Sequence, residues 1–365
     1  MNPLVFDFIL KPVGGKCNLR CSYCYYLQRP KQDLSAVWSL DDANLVIHQI
    51  AELEKSRNNK QARVTWHGGE PLLAGIDWYK AVRQFQSETG IEFINSIQTN
   101  GTLINNGWID LFKKMNITVG LSIDGPVFLH DRQRCNKNGR GVLDKVLRSL
   151  NLCRNNGIRT GVLCVITNYS SDFFDEIISF FLENEIHNFD FLPAYGVSVD
   201  KSTYSVIPAK YSAFMKQAFD WYLQYDNPDI KIRTIVTVIE RLLGCTGGVC
   251  TVSGKSCGRF ITIEGNGDIS FCDDYNADLF PVLGNIKYST LSGIVSSQQF
   301  QFLRDSTLSR SSAIKKCSSC EVKILCNGGC QRNWIGDDNF FCDFYKDFYL
   351  HVYKRLCVEL AENTD

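Results

Sequence analysis

The sequence predicts an α/β protein, an open partial barrel of six β/α units followed by a small cysteine-rich domain. Three observations predict it. From Val5 to about Pro193, short β-rich runs alternate with amphipathic helical stretches, the pattern of parallel strands joined by right-handed crossovers. Three thiols spaced C-x3-C-x2-C, Cys17, Cys21 and Cys24, follow the first apolar run. After about Tyr195 the alternation stops, and from Cys245 onward cysteines crowd around a Gly-Asn-Gly turn. The expected division is 1–195 for the barrel, 196–244 for a helical bridge, 245–342 for the cysteine-rich domain and 343–365 for a C-terminal helix.

The expected strands are Val5–Leu10, Ala62–His67, Ile91–Gln98, Ile117–Ile123, Thr160–Thr167 and Asn188–Pro193. Amphipathic periodicity between them predicts helices over Asp41–Ser56, Trp78–Glu88, Asn105–Lys114, Val142–Asn156 and Ser171–Glu183. In the bridge, Ala209–Tyr225 and Arg233–Leu243 read as helices. Beyond it, the run from Arg259 to Cys272 alternates about Gly265-Asn266-Gly267, which predicts a β-hairpin.

At 365 residues and 44% hydrophobic content, the chain can bury a large core without disulfides. Lys and Arg together number 39, as do Asp and Glu, so no basic field argues for nucleic acid and no acidic excess for disorder. The first residues lack the charged start, apolar core and cleavage site of a signal peptide. No apolar run approaches a membrane span. These features predict a cytoplasmic protein with neither membrane nor nucleic-acid partner. In a reducing compartment its 16 cysteines point to metal or cluster ligation.

Active sites of parallel β/α folds lie at the C-terminal ends of the strands, and the motifs fall there. The thiol loop Cys17-Asn18-Leu19-Arg20-Cys21-Ser22-Tyr23-Cys24 follows the first strand. Three thiolates can hold three irons of a four-iron four-sulfur cluster and leave the fourth open, whereas structural zinc asks for four protein ligands. His67-Gly68-Gly69-Glu70-Pro71 follows the second strand, with glycines that let backbone approach a ligand or simply form a turn. Gln98-Thr99-Asn100-Gly101-Thr102 follows the third, where Asn100 could equally make an Asx-turn. Ser122-Ile123-Asp124-Gly125-Pro126 and then His130-Asp131-Arg132-Gln133-Arg134 follow the fourth. His67 and His130 read as supporting or packing residues, and Cys135, Cys153 and Cys164 as ordinary free cysteines.

In these motifs the chain resembles the radical SAM superfamily. The resemblance implies S-adenosylmethionine as cofactor and a cluster on Cys17, Cys21 and Cys24 whose electron generates a 5'-deoxyadenosyl radical. By motif position, Tyr23 contacts the adenine, Gly68, Gly69 and Glu70 meet the methionine amine and carboxylate, and Asn100, Ser122 and Asp124 line the same cofactor. Arg134 pairs with the methionine carboxylate, to which a guanidinium offers two parallel donors.

The hairpin and the ladder Cys317-x2-Cys320-x5-Cys326-x3-Cys330 with Cys342 resemble the SPASM extension of radical SAM peptide maturases. That implies two auxiliary four-iron four-sulfur clusters, three in all. One would take Cys257, Cys272, Cys330 and an upstream thiol, Cys250 or Cys245, with the family spacing favouring Cys250. The other would take Cys317, Cys320, Cys326 and Cys342. Paired zinc knuckles are the alternative for this spacing. Asp273, directly after Cys272, stands where sulfatase-maturating relatives place a proposed general base; a turn residue is the other reading.

The motifs HGGEPLLAG, QTNGTL and SIDGP look most like maturases that join an aromatic ring to a neighbouring side-chain carbon in a ribosomally made peptide (a cyclophane). The alternative is an anaerobic sulfatase maturase that makes formylglycine, a family whose glycine motif more often opens with Gln where His67 stands. A non-catalytic iron–sulfur or zinc protein is a third. The resemblance implies a precursor peptide or protein as substrate and a low-potential donor such as flavodoxin or ferredoxin. No separate peptide-binding domain is expected before Val5, so a leader peptide would be held by the barrel or SPASM surface.

Overall fold

The computed structural model describes residues 5–28, 36–195, 204–245, 247–253, 256–273 and 281–362. The start of the expected bridge, 196–203, lies outside them, as do the last two residues of Cys272-Asp273-Asp274-Tyr275.

In chain order the first elements are β1 (Asp7–Leu10), α1 (Leu40–Ser56), β2 (Gln61–Trp66), α2 (Ile76–Glu88), β3 (Glu92–Thr99), α3 (Asn106–Lys114) and β4 (Thr118–Ser122). Then come α4 (Val127–Gln133), α5 (Leu143–Asn155), β5 (Thr160–Ile166), α6 (Phe174–Glu183), β6 (Asn188–Pro193), α7 (Pro208–Tyr225), β7 (Lys231–Ile232), α8 (Arg233–Leu242) and α9 (Cys250–Ser253). The hairpin is β8 (Phe260–Ile263) and β9 (Asp268–Ser270), followed by β10 (Gly284–Asn285), α10 (Leu291–Val295), α11 (Gln298–Ala313), α12 (Lys315–Ser318) and α13 (Lys323–Cys326). A two-stranded ribbon, β11 (Trp334–Ile335) and β12 (Asp338–Asn339), precedes α14 (Cys342–Glu362).

All six strands expected in the first half form, with ends shifted by a residue or two. The helix expected from Ser171 starts later, at Phe174. Thr167 and Ser170 cap each other, Thr167 N donating to Ser170 Oγ (2.8 Å) and Ser170 N to Thr167 Oγ1 (3.1 Å), so residues 170–172 form a 3-10 turn instead. α1 begins with a capping box between Ser39 and Asp42.

Two compact units, each discontinuous in sequence, make up the chain. The first comprises Met1–Ile123, His130–Val162 and Gly258–Arg304. β1 lies inside its sheet, parallel to β2 on one side (Leu10 opposite Trp66) and to β8 on the other (Leu10 opposite Ile263). β2 continues to β3 and β3 to β4, all parallel, while β9 and β10 extend the other edge antiparallel. Phe8, Leu10, Val64, Trp66, Val119 and Leu121 are buried along these strands, as are Val46, Ile47 and Ile50 of α1. The hairpin thus belongs to the same sheet as the first β/α units.

The second unit comprises Asp124–Leu129, Leu163–Cys257 and Asp305–Asp365. Here β6 pairs parallel with β7, and Phe191 packs edge-on to Phe214 (ring centroids 4.9 Å apart). α14 is fastened to α7 by Asp347, which accepts from Ser212 Oγ (2.6 Å) and Lys216 Nζ (2.7 Å). Among the described residues no helix is long and apolar enough to cross a membrane.

Candidate functional site

The thiol loop is held from two sides within the first unit. Arg20 N donates to Cys135 O (2.8 Å) and Ser22 N to Gln133 O (2.9 Å), which stitches the loop to the segment ending α4. That stitch brings Arg134 to it. Its Nη1 donates to Cys21 Sγ at 3.8 Å, and its guanidinium lies 5.3 Å from the centre of the Tyr23 ring. On the other side Asn100 Nδ2 reaches Asn18 Oδ1 (2.9 Å) and Cys17 Sγ (3.9 Å), while Asn18 Nδ2 donates to Thr102 Oγ1 (2.8 Å). Leu19 N also donates to Cys17 Sγ, at 3.4 Å. Burial pushes the Cys17 thiol up to about 11, with the nearby Glu70 and Cys24 adding to the shift.

Gly68 and Gly69 serve the backbone directly. A Cβ at Gly68 would fall 2.7 Å from Gly14 O, and one at Gly69 2.2 Å from Lys16 O. Gly69 N donates to Gly14 O (2.7 Å) and Glu70 N to Lys16 O (2.9 Å), so the glycines let the β2 turn lie against the chain leading into the thiols. Glu70 is fully buried. Its carboxylate accepts from Leu72 N (3.1 Å), Thr99 Oγ1 (2.7 Å) and Asn100 N (2.8 Å), tying the β2 and β3 turns together. Burial outweighs these donors and raises its pKa to about 7.

Ser122 Oγ accepts from Gln98 Nε2 (3.0 Å) at the ends of β4 and β3. Asp124 lies in the second unit, fully buried, with Oδ1 accepting from Val165 N (3.0 Å). The first unit therefore gathers Cys17, Cys21, Cys24, Tyr23, Gly68, Gly69, Glu70, Asn100, Ser122 and Arg134 at strand ends.

A second cluster forms where β1 and the hairpin end. Lys11, the residue after β1, is fully buried, and its Nζ sits 2.9 Å from Asp273 Oδ1 and 3.1 Å from Glu264 Oε1. It also donates to Asp273 O (3.2 Å) and lies 5.5 and 5.2 Å from the ring centres of Tyr25 and Tyr26. Burial alone would lower the Lys11 pKa; Asp273, the two phenols and Glu264 outweigh it and hold the ammonium well above its ordinary range. His67, after β2, has an Nδ1 that is out of solvent and without a hydrogen-bond partner. Burial lowers its pKa against the opposing pull of Asp273. Sequence reading missed Lys11 and Glu264; a lysine closing an apolar strand just before the thiols was the available signal.

All 16 cysteines are free thiols. In the second unit, burial pushes Cys326 up to about 12, with Cys342, Cys317 and Cys320 adding their charge. Cys257 is raised to about 11 by burial and then by Cys250. Cys330 N is bonded to Tyr345 Oη (3.4 Å). Cys245 is exposed. Cys272 belongs to the first unit, at the end of β9. Cys153 and Cys164 are buried. Among the described residues no three His, Cys, Asp or Glu converge on a point fit for a single ion. What fits iron–sulfur clusters is the donor set, three thiols on one loop and a second group of four that sense one another's charge.

A sheet of parallel β/α units with a three-thiol loop after its first strand, and a cysteine-bearing hairpin paired to that same strand, marks a radical SAM enzyme. The profile of the radical SAM superfamily matches residues 12–181, and that of the SPASM iron–sulfur cluster-binding domain matches residues 255–321. The chain is 31% identical over 373 residues to a serine-type anaerobic sulfatase-maturating enzyme of Bacteroides thetaiotaomicron, covering 94% of this chain and 88% of that one. It is 30% identical over 357 residues to a cysteine-type enzyme of Clostridium novyi, covering 94% of each. Native anSMEcpe with bound AdoMet and Cp18Cys peptide superposes with a TM-score of 0.87 at 26% identity, over 98% of this chain and 99% of that one. Streptococcus suis SuiB bound to precursor peptide SuiA shares the fold (TM-score 0.63, 18% identity, 90% and 73% covered). The chain belongs to the radical SAM/SPASM family that includes the anaerobic sulfatase-maturating enzymes.

Proposed function

We propose that this enzyme oxidises a side chain of a ribosomally made peptide or protein by removing hydrogen from its β-carbon, and that Asp273 takes up the proton the substrate then loses. The observation that carries this is the Asp273 carboxylate, one residue after the thiol Cys272 and fixed by a buried ammonium in the unit that also holds the three-thiol loop. When bound, S-adenosylmethionine and the iron–sulfur clusters supply the 5'-deoxyadenosyl radical and accept the electron left over. Cys17, Cys21 and Cys24 would hold the first cluster, with Tyr23, Gly68, Gly69, Glu70, Asn100, Ser122 and Arg134 about the cofactor. Cys317, Cys320, Cys326 and Cys342 would hold another, and Cys250, Cys257 and Cys330 would contribute to a third. The electrostatic coupling of Cys257 to Cys250 supports Cys250 over Cys245.

In the first reading the β-carbon joins an aromatic ring, and loss of one electron and one proton restores aromaticity. The motif His67-Gly68-Gly69-Glu70-Pro71-Leu72-Leu73-Ala74-Gly75 supports it. In the second, a Ser or Cys heteroatom loses the proton as one electron leaves; Ser then gives the aldehyde of formylglycine, and Cys a thioaldehyde that water converts to it with release of hydrogen sulfide. Relatedness along nearly the whole chain to serine- and cysteine-type sulfatase-maturating enzymes favours that reading. A cytoplasmic flavodoxin- or ferredoxin-type donor suits either.

The test uses the anaerobically reconstituted protein with S-adenosylmethionine, dithionite and two synthetic peptides. One carries Ser or Cys, the other an aromatic residue a few positions from an aliphatic side chain. A ring that resists fragmentation between the joined residues supports the first reading, and a hydrazide-reactive aldehyde supports the second. Deuterium at the β-carbon should pass into 5'-deoxyadenosine in both. 5'-Deoxyadenosine that carries no deuterium while product forms rejects β-carbon abstraction.

A further inference from the structure

A fully buried lysine between two carboxylates is not explained by stability, because a buried ion pair can often be replaced by apolar side chains without loss. The bonds that Lys11 makes suggest another purpose. Its backbone is fixed just past β1, where Lys11 N donates to Ile263 O of β8 (3.0 Å). The partner Glu264 is fixed as well, its N donating to Asp268 O (2.9 Å) and its O accepting from Trp38 Nε1 (2.8 Å). From this rigid base the ammonium grips Asp273 at two points, the carboxylate and the main-chain carbonyl. On its other side lie the rings of Tyr25 and Tyr26, the two residues that follow the last thiol of the loop.

We propose that Lys11 is a positioning residue for Asp273: its single ammonium sets the place and direction of that carboxylate relative to the chain leaving the thiol loop. The inference rests on Asp273 being the proton acceptor. Misplacement of a reacting group by about 1 Å can cost roughly 100-fold, so a loosened Asp273 need not be lost to be ineffective.

The experiment compares Lys11→Met, Lys11→Arg, Glu264→Gln, Asp273→Asn and the double variant Lys11→Met/Asp273→Asn. One readout is amide hydrogen exchange across 264–273 in the reconstituted protein without peptide. The other is product formed per 5'-deoxyadenosine on whichever of the two synthetic peptides the wild type converts. Lys11→Met should speed exchange and lower the product ratio roughly 10- to 100-fold, with Lys11→Arg recovering part of both. The double variant should be no worse than Asp273→Asn, since Lys11 acts through that residue. Unchanged exchange in Lys11→Met overturns the inference, as does a loss that multiplies with that of Asp273→Asn. If Lys11→Met does not fold, Glu264→Gln carries the same comparison through the other end of the bridge. An impaired Asp273→Asn beside an unimpaired Lys11→Met rejects the positioning role alone, whereas an unimpaired Asp273→Asn rejects the proton-acceptor reading beneath it.

Discussion

Lys11 and Asp273 lie 262 residues apart in sequence, yet the ammonium of one is 2.9 Å from the carboxylate of the other and bonded to its carbonyl. The pair joins the end of the first barrel strand to the end of the hairpin that follows the bridge. If Asp273 accepts a proton, its loss should uncouple cofactor cleavage from product. Asp273→Asn is expected to lower product per 5'-deoxyadenosine at least ~100-fold, the scale of a removed general base. Quantifying both species by mass spectrometry in one reaction checks it, and an unchanged ratio removes Asp273 from the chemistry.

The three-thiol loop carries a sharper expectation. Replacing Cys17, Cys21 and Cys24 together with Ala should remove one cluster's iron and all cleavage of S-adenosylmethionine, because no other loop offers the same three-thiol set. Iron analysis and 5'-deoxyadenosine measurement decide the matter. Continued 5'-deoxyadenosine formation by the triple variant would refute the assignment.

A different result is expected from Cys317→Ala with Cys320→Ala. These thiols are in the second unit, while the three-thiol loop is in the first. Binding of S-adenosylmethionine, read by equilibrium dialysis, should remain measurable as product falls sharply. Full product with that cluster demonstrably absent would exclude it as the route for the electron.

Glu70 links stability to pH. Its folded-state pKa is raised from 4.5 to about 7 by burial, so the folded protein holds a proton that the unfolded chain releases. Its contribution is therefore fully present below pH 4.5 and is lost as pH rises to about 7, by up to about 3 kcal/mol. Urea unfolding of the apo-protein across that window should show the decline, and Glu70→Gln should flatten it. A parallel decline in the variant would assign the dependence to other groups.

Gly69→Ala tests the backbone contact with the chain leading into the three thiols. The added Cβ would meet Lys16 O at 2.2 Å, a collision with main chain that no rotamer relieves. A loss of roughly 1–3 kcal/mol is expected, together with poorer iron loading as residues 14–16 shift the thiols. Melting and iron content equal to those of the wild type would contradict the contact.

Much of the fold was legible in short stretches. Apolar runs such as Val5–Leu10 and Asn188–Pro193, separated by helical periodicity, foretold the parallel strands, and Gly265-Asn266-Gly267 foretold the hairpin, because such signals depend on residues a few positions apart. The thiol loop, the glycine turn, Asn100 and Arg134 could be singled out for a similar reason, as short motifs, and the structure brings Asn100 and Arg134 into contact with the thiol loop. α11 (Gln298–Ala313) was not foreseen, since polar residues such as Ser309 and Arg310 interrupt any apolar stripe. The parallel pairing of β8 with β1 was also beyond local reading, because strand partners across 250 residues leave no mark on either segment. From that pairing come the burial of Lys11 and its grip on Glu264 and Asp273, and only the tertiary structure shows that Gly68 and Gly69 lie against residues 14–16. A lysine at a strand end reads as solvated until packing removes its water, and packing is a property of the whole chain brought together.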